Sequence, residues 1–250
     1  MAVLISAIVA GCCALSAGPS APNQDAAPGT PTQEAVAAVS ASTDTVSAYD
    51  YDRFTRLSRE HPNELSRMYA ADSMRHGDYD DAVRHFRRAA YYGDKYSQHR
   101  LSLLYWHGVG VERDPALAYV WADLAAERQY PQFLVLREKM WESLDDAQRA
   151  RALQEGRKLY ARYGDDAAKP RFERELVRNK RDVTGSHVGY IGDLDVFVPV
   201  VGELKFDSSG DMTEYYDSWR WNPKTYWAVE DAIWKDGNVD VGSAEPARTK

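Results

Sequence analysis

Leu101-Ser-Leu-Leu-Tyr-Trp-His-Gly-Val-Gly-Val-Glu-Arg-Asp-Pro-Ala-Leu-Ala-Tyr-Val-Trp-Ala-Asp-Leu-Ala-Ala126 is the stretch whose reading decides the fold. Apolar residues recur at three- and four-residue spacing on both sides of a glycine-containing break, the pattern of two helices with a buried face each. Gly108 and Gly110 allow a tight loop between them. Asp114 offers an N-cap and Pro115 stands at the first helical position, so a new helix starts there. The spacing predicts helices over about 95–107 and 115–128.

Working outward, the unit recurs. A shift of 36 residues aligns Leu65 with Leu101, Ser66 with Ser102, Met68 with Leu104 and Tyr69 with Tyr105. The same shift aligns Ala82, Ala89 and Ala90 with Ala118, Ala125 and Ala126. Small residues at these positions let paired helices approach closely. One helix pair cannot bury its apolar face alone, so successive pairs stack. Further helices are predicted over about 51–60, 62–76, 79–92 and 131–141. A last one runs to Tyr163, opened by a variant capping box in Ser143-Leu-Asp-Asp146 and closed by Gly164.

Residues 101–126 resemble a Sel1-like repeat, which shows Leu-Gly-x-x-Tyr, then Gly-x-Gly-Val, an Asp, an Ala, a Trp and Ala-Ala. The matching positions are Leu103, Tyr105, Gly108, Gly110, Val111, Asp114, Ala118, Trp121, Ala125 and Ala126. Residues 65–100 match in part: the Gly-x-Gly-Val loop is missing and His85 stands at the Trp position. Residues 130–163 read as a degenerate third unit. The resemblance covers about 50–165. It implies a mainly α fold, a short α-solenoid of antiparallel helix pairs, used for protein–protein contacts without catalysis of its own.

Both ends change character. Residues 183–217 are rich in Val, Tyr, Phe, Gly and Asp. Val196-Phe-Val-Pro-Val-Val201 reads as a strand, demoted to an edge by Pro199. Residues 204–216 read as a hairpin around Asp207-Ser-Ser-Gly210, and 225–234 as a closing helix. A small β-rich or α+β appendage over 183–235 is therefore expected, after a connecting helix at 166–182 and before a disordered tail at 236–250. Trp219-Arg220-Trp221, if extended, places both indoles on one face.

At the other end, residues 1–11 are apolar or small and too short to span a bilayer. They run into Val9-Ala-Gly-Cys12, which resembles the bacterial lipobox. The resemblance implies cleavage before Cys12, a diacylglycerol on its sulfur and acylation of the new amino end, a multi-chain anchor. No Lys or Arg precedes the apolar run, a departure from signal peptides. Residues 14–48, almost all Ala, Ser, Pro, Thr, Gly and Val, read as a flexible tether, taken with Cys12 as 12–49. No Asp follows Cys12, which in resembling proteins leans toward the outer membrane.

The net charge of −7 is uneven: residues 50–180 carry 24 bases against 22 acids, residues 181–250 carry 7 against 13. No basic stripe offers itself to nucleic acid. The only cysteines are Cys12 and Cys13, so no disulfide framework or cysteine zinc site exists in the body. The six histidines form no His-x-x-x-His pair, and there is no Gly-x-Ser-x-Gly elbow or phosphate loop. Asp207–Glu214 lacks the alternation of a calcium loop. Thr184-Gly-Ser186-His187 puts a hydroxyl near an imidazole without a third member. No catalytic residue, metal or cofactor is expected.

The reading is a periplasm-facing lipoprotein that binds a protein partner through the solenoid groove. Arg67, Tyr92, Tyr96, His99, Trp106 and His107 are the side chains expected to meet that partner. The alternatives are an envelope enzyme or ligand-binding protein with its site in 183–235, and a repeat stub within a larger assembly.

Overall fold

The computed structural model describes residues 30–41, 44, 48–184 and 217–236. Among these residues the secondary structure is helical and no strand occurs. The elements are α1 (Gln33–Val39), α2 (Ala48–Leu57), α3 (Pro62–His76), α4 (Tyr79–Tyr91), α5 (Lys95–His107), α6 (Pro115–Ala126), α7 (Pro131–Ser143), α8 (Asp146–Tyr163), α9 (Asp165–Thr184) and α10 (Pro223–Asp236). Helices adjacent in sequence pack as pairs, α3 on α4 and α5 on α6 most extensively, in the manner of a short solenoid.

The 36-residue repeat is visible in the packing. Ala82, Ala89 and Ala90 on α4 and Ala118, Ala125 and Ala126 on α6 are all buried. A larger side chain at any of them would push the helices apart. Leu101, Leu103, Leu104, Trp106, Val120 and Trp121 fill the core between the pairs. Local signals set the ends. Asp94 caps α5 by accepting from the Ser97 N–H at 2.6 Å, and Asp114 caps α6 by accepting from the Leu117 N–H at 3.1 Å. Gly108 and Gly110, at φ 71° and 68°, make the inter-helix loop.

Several expectations are corrected. The capping box of α8 joins Asp145 to Gln148, two residues later than Ser143–Asp146, because Gln148 has the reach to return to the Asp145 N–H at 3.0 Å. Gly164 does cap α8, its N–H donating to the Tyr160 carbonyl at 2.9 Å, but in an extended conformation (φ −64°, ψ 158°) because α9 starts at the next residue. Tether character does not extend over all of 12–49. Thr32 caps α1, α1 packs on α5, and Val39 is buried in the main core. Asp44 is buried too, against Arg100.

The strands expected at 196–201 and 204–216 lie outside the described residues, as does 237–250. The described part of 183–235 is a turn and a helix packed on the repeat body, and is no separate appendage. Trp219-Arg220-Trp221 sits in a turn that leads into α10. Arg220 and Trp221 are buried there. Trp234 of α10 stacks on Tyr96 of α5 at 5.4 Å, with Phe133 of α7 at 5.7 Å. Tyr226 and Trp227 pack on Phe172 of α9, at 4.7 and 4.9 Å between ring centroids. Trp221, Tyr226 and Trp227 are thus buried core, and Trp219 and Trp234 pack against it. No helix among the described residues is long and apolar enough to cross a membrane.

Candidate functional site

α4 is strongly two-faced. Ala82, Val83, Phe86, Ala89 and Ala90 face the core. Arg84, Arg87 and Arg88 fall three and four residues apart on the other side, where neighbouring turns bring side chains together. α8 packs beside α4 and ends with Arg162 and Tyr163 next to it. Between them lies a concavity of about 500 Å³ lined by Arg84, Arg87, Arg88, Tyr91, Tyr92, Arg162 and Tyr163.

The tyrosine rings form the floor and orient the guanidiniums. Arg162 lies over Tyr91 at 5.7 Å and over Tyr163 at 5.3 Å. Arg171 of α9 lies 3.4 Å from the Tyr91 centroid and donates to the Tyr91 carbonyl and, at 3.1 Å, to that of Arg162. Arg87 is held by the Tyr105 hydroxyl and ring. Tyr163 is itself fixed by the repeat tryptophan: Trp121 meets it edge-on at 4.8 Å. The repeat core therefore supports the groove floor directly.

The charge of the groove is one-sided. Arg84 pairs with the exposed Asp80 at 3.1 Å and with the half-buried Asp81. Among the described residues, Arg87, Arg88, Arg162 and Arg171 have no carboxylate in ion-pair range. Burial, and then the neighbouring Arg174 and Arg162 charges, push the Arg171 guanidinium below its ordinary value. The arrangement offers planar, pre-oriented donors to an anion.

Of the six side chains nominated for partner contact, only Tyr92 lines this groove. Tyr96, His99 and Trp106 are buried and belong to the core. α5 is the central helix, packed between α4, α6 and α1, so nearly its whole circumference is covered. Arg67 pairs with Asp94 at 2.9 Å, tying the first repeat to the cap of α5. His107 is half-buried at the end of α5. The repeat-structural residues Tyr105, Ala118, Trp121, Ala125 and Ala126 are buried, and Asp114, besides capping α6, accepts from Arg151 at 2.6 and 3.0 Å. Cys12 lies outside the described residues. The sequence reading names none of Arg84, Arg87, Arg88, Arg162 or Arg171. The i, i+3, i+4 arginines opposite an all-apolar face of α4 are the signal that points to three of them.

A second cluster ties the C-terminal helix down. Glu64 Oε2 accepts from Arg220 at 2.7 Å and Ser58 at 3.0 Å, while Oε1 accepts from the Tyr226 hydroxyl at 2.9 Å. Asn63 donates to Tyr226 at 2.5 Å, and His61 Nε2 donates to the Arg220 carbonyl at 3.0 Å. Burial alone would raise the Glu64 carboxyl, but the charges of His61, Arg220 and Arg67 bring it down to about 2. Burial raises Glu230 of α10 to about 7, against the pull of Arg67. Among the described residues no group of His, Cys, Asp or Glu is arranged to hold a metal ion.

Residues 64–94 and 95–130 match the Sel1 repeat. Those two spans carry α3 with α4 and α5 with α6, so each repeat is one helix pair and the groove arginines of α4 belong to the first. Sel1 repeats are in general modules for protein interaction. No curated protein and no solved structure shows significant similarity to the chain.

Proposed function

We propose that this chain is a non-catalytic envelope lipoprotein that acts as a protein-interaction scaffold through its Sel1 repeats. The observation that carries the reading is the open Arg–Tyr groove on the outer face of the first repeat, rigidly backed by the repeat core. Arg and Tyr side chains held in place by packing are what dominates the energetics of protein interfaces, because little freedom is lost when a partner docks. The Sel1 match favours a protein as the ligand.

The location in the envelope rests on sequence. Val9-Ala-Gly-Cys12 supplies an acylation motif, and the Ala-, Ser- and Pro-rich stretch between Cys12 and Thr32 supplies a tether to the helical body. Cys12 is the proposed lipid-bearing residue, with the body on the periplasmic side of the outer membrane.

Mass spectrometry of the full-length protein from a bacterial membrane fraction, beside Cys12→Ser, tests the anchor. The expected result is loss of residues 1–11 and an acyl mass on Cys12, both absent in the variant. An unacylated chain still starting at Met1, in the soluble fraction, would overturn the anchor. Chemical crosslinking in the same membranes tests the scaffold: a discrete protein adduct is expected, and no adduct over a range of crosslinker lengths counts against it.

A further inference from the structure

Taking the scaffold reading as its basis, we infer that the Arg–Tyr groove between α4 and α8 recognises an acidic segment of the partner protein, with carboxylates at alternate positions of an extended peptide. The donors are all arginines, whose planar forks match carboxylates in pairs; a lysine would act as a point charge. Arg84 and Arg88 stand one helical turn apart, about 6 Å on the helix surface. Residues two apart on an extended strand project to the same side at a similar spacing, about 6.6 Å. Arg162 faces them from the end of α8, so a peptide lying in the groove meets arginine on both sides.

The groove holds unbalanced positive charge at rest. Arg88 and Arg162 are exposed and without a described carboxylate, and Arg171 sits beneath them against Tyr91. Bringing carboxylates in relieves this repulsion, while the exposed Arg84–Asp80 pair gives way at little cost. The tyrosine faces add apolar contact for the peptide stem. Extended polyanions fit less well. The chain as a whole carries −7, and the positive charge is confined to one concavity, so a long phosphate backbone would meet repulsion beyond it. A flat anionic bilayer would touch the exposed rim arginines but not the Tyr91–Tyr163 floor.

Fluorescence anisotropy on the full chain tests this. The probe is a labelled octapeptide alternating Asp or Glu with Ser, compared with its Asn/Gln counterpart. Competition with tripolyphosphate and co-sedimentation with phosphatidylglycerol vesicles run alongside. The acidic peptide is expected to bind at least about tenfold more tightly than the neutral one, and to weaken with salt. Arg88→Glu and Arg162→Glu should each lower its affinity by about tenfold or more, with unchanged circular dichroism and melting. Lys139→Glu, on exposed α7 surface outside the groove, should leave it within about twofold.

Equal binding of the two peptides, or affinity unmoved by both arginine reversals, overturns the inference. So does tripolyphosphate displacing the peptide far below the peptide's own concentration, or retention by vesicles alone; either result assigns the groove to phosphate groups. If the crosslinked envelope partner persists unchanged in Arg88→Glu and Arg162→Glu, the groove inference falls and the scaffold reading survives. If the acidic peptide binds through Arg88 while no envelope protein crosslinks, the scaffold reading falls instead.

Discussion

Arg100 Nη1 and Nη2 donate to Asp44 Oδ1 and Oδ2 at 3.0 and 2.8 Å, a two-pronged pair with both side chains buried. It fastens the segment before the repeats to α5, the central helix. Arg100 also donates to the Tyr96 hydroxyl at 2.8 Å and lies over the Phe86 ring. Removing Asp44 leaves a guanidinium enclosed without its counter-charge. Asp44→Ala is therefore expected to cost about 3–5 kcal/mol of stability. The paired replacement of Arg100 by Met and Asp44 by Leu should recover most of that loss, because the enclosed charge is gone with its partner. Chemical denaturation of the parent and the two variants checks this; an Asp44→Ala midpoint equal to the parent's would rule the pair out as a structural tie.

That pair shows where the sequence stops being legible. α3 and α5 are readable to the residue because their ends are local chemistry: Pro62 opens one, and Asp94 and Gly108 bound the other. Asp44 has no such signal. It lies among Ser, Thr and Ala with no periodicity, and its order depends on a charge 56 positions away. α10 is similar. Its existence is legible from Trp227, Ile233 and Trp234, though Ile233 is exposed, and its docking depends on partners in α3, α5 and α9. The partner-facing residues invert for a related reason. An aromatic cluster along α5 reads as core with some members lining a groove, and only the packing of α4, α6 and α1 around α5 puts all of them in the core.

Gly110 makes the second repeat touch the first. A methyl group on its Cα would overlap the Tyr79 carbonyl, which opens α4, and would lie 2.8 Å from the Tyr79 Cβ. Its φ of 68° adds strain for any other residue. Gly110→Ala is expected to cost about 2–4 kcal/mol, a backbone clash added to a left-handed alanine. Gly108→Ala has the same strain, but its nearest obstacles, the Arg113 Cβ at 3.1 Å and backbone N at 3.4 Å, are farther off and need to give by only a few tenths of an ångström. Thermal melting should rank the two, Gly110→Ala lower; the reverse order would mean that the repeat interface yields more easily than the loop.

Tyr226 links α10 to α3 through one hydroxyl, which donates to Glu64 and accepts from Asn63. Tyr226→Phe keeps the ring against Phe172 and removes both bonds. Asn63 and Glu64 Oε1 are left buried with a lost partner each, so about 1–3 kcal/mol is expected to disappear. The loss should concentrate on docking of α10. Tryptophan emission from Trp219, Trp221 and Trp227 should shift to the red at denaturant levels where the helical signal of the repeats is intact. Coincident fluorescence and circular dichroism transitions in both proteins would mean instead that α10 and the repeats unfold as one unit.

His99 makes the fold acid-sensitive in a predictable window. The imidazole is fully buried, stacks on Phe133 at 4.9 Å, and neither ring nitrogen has a hydrogen-bond partner among the described residues. Burial, with the neighbouring Arg100 charge, lowers its pKa from the ordinary 6.5 to about 3. As pH falls through 6.5 the unfolded chain takes up this proton and the folded chain does not, so stability drops until about pH 3. Glu230 acts with the opposite sign: raised to about 7, its contribution is present below about 4.5 and is lost as pH rises through 7. The two are separated by substitution. His99→Leu deletes the first effect and leaves the second. Its stability advantage over the parent should widen by about 2 kcal/mol between about pH 7 and pH 5, on top of a fixed gain from removing unsatisfied ring nitrogens. Urea midpoints at the two pH values measure the widening. A gap that stays constant would show that His99 takes up its proton without penalty in the folded chain, and the enclosed apolar site described around Phe133 would have to be open to water.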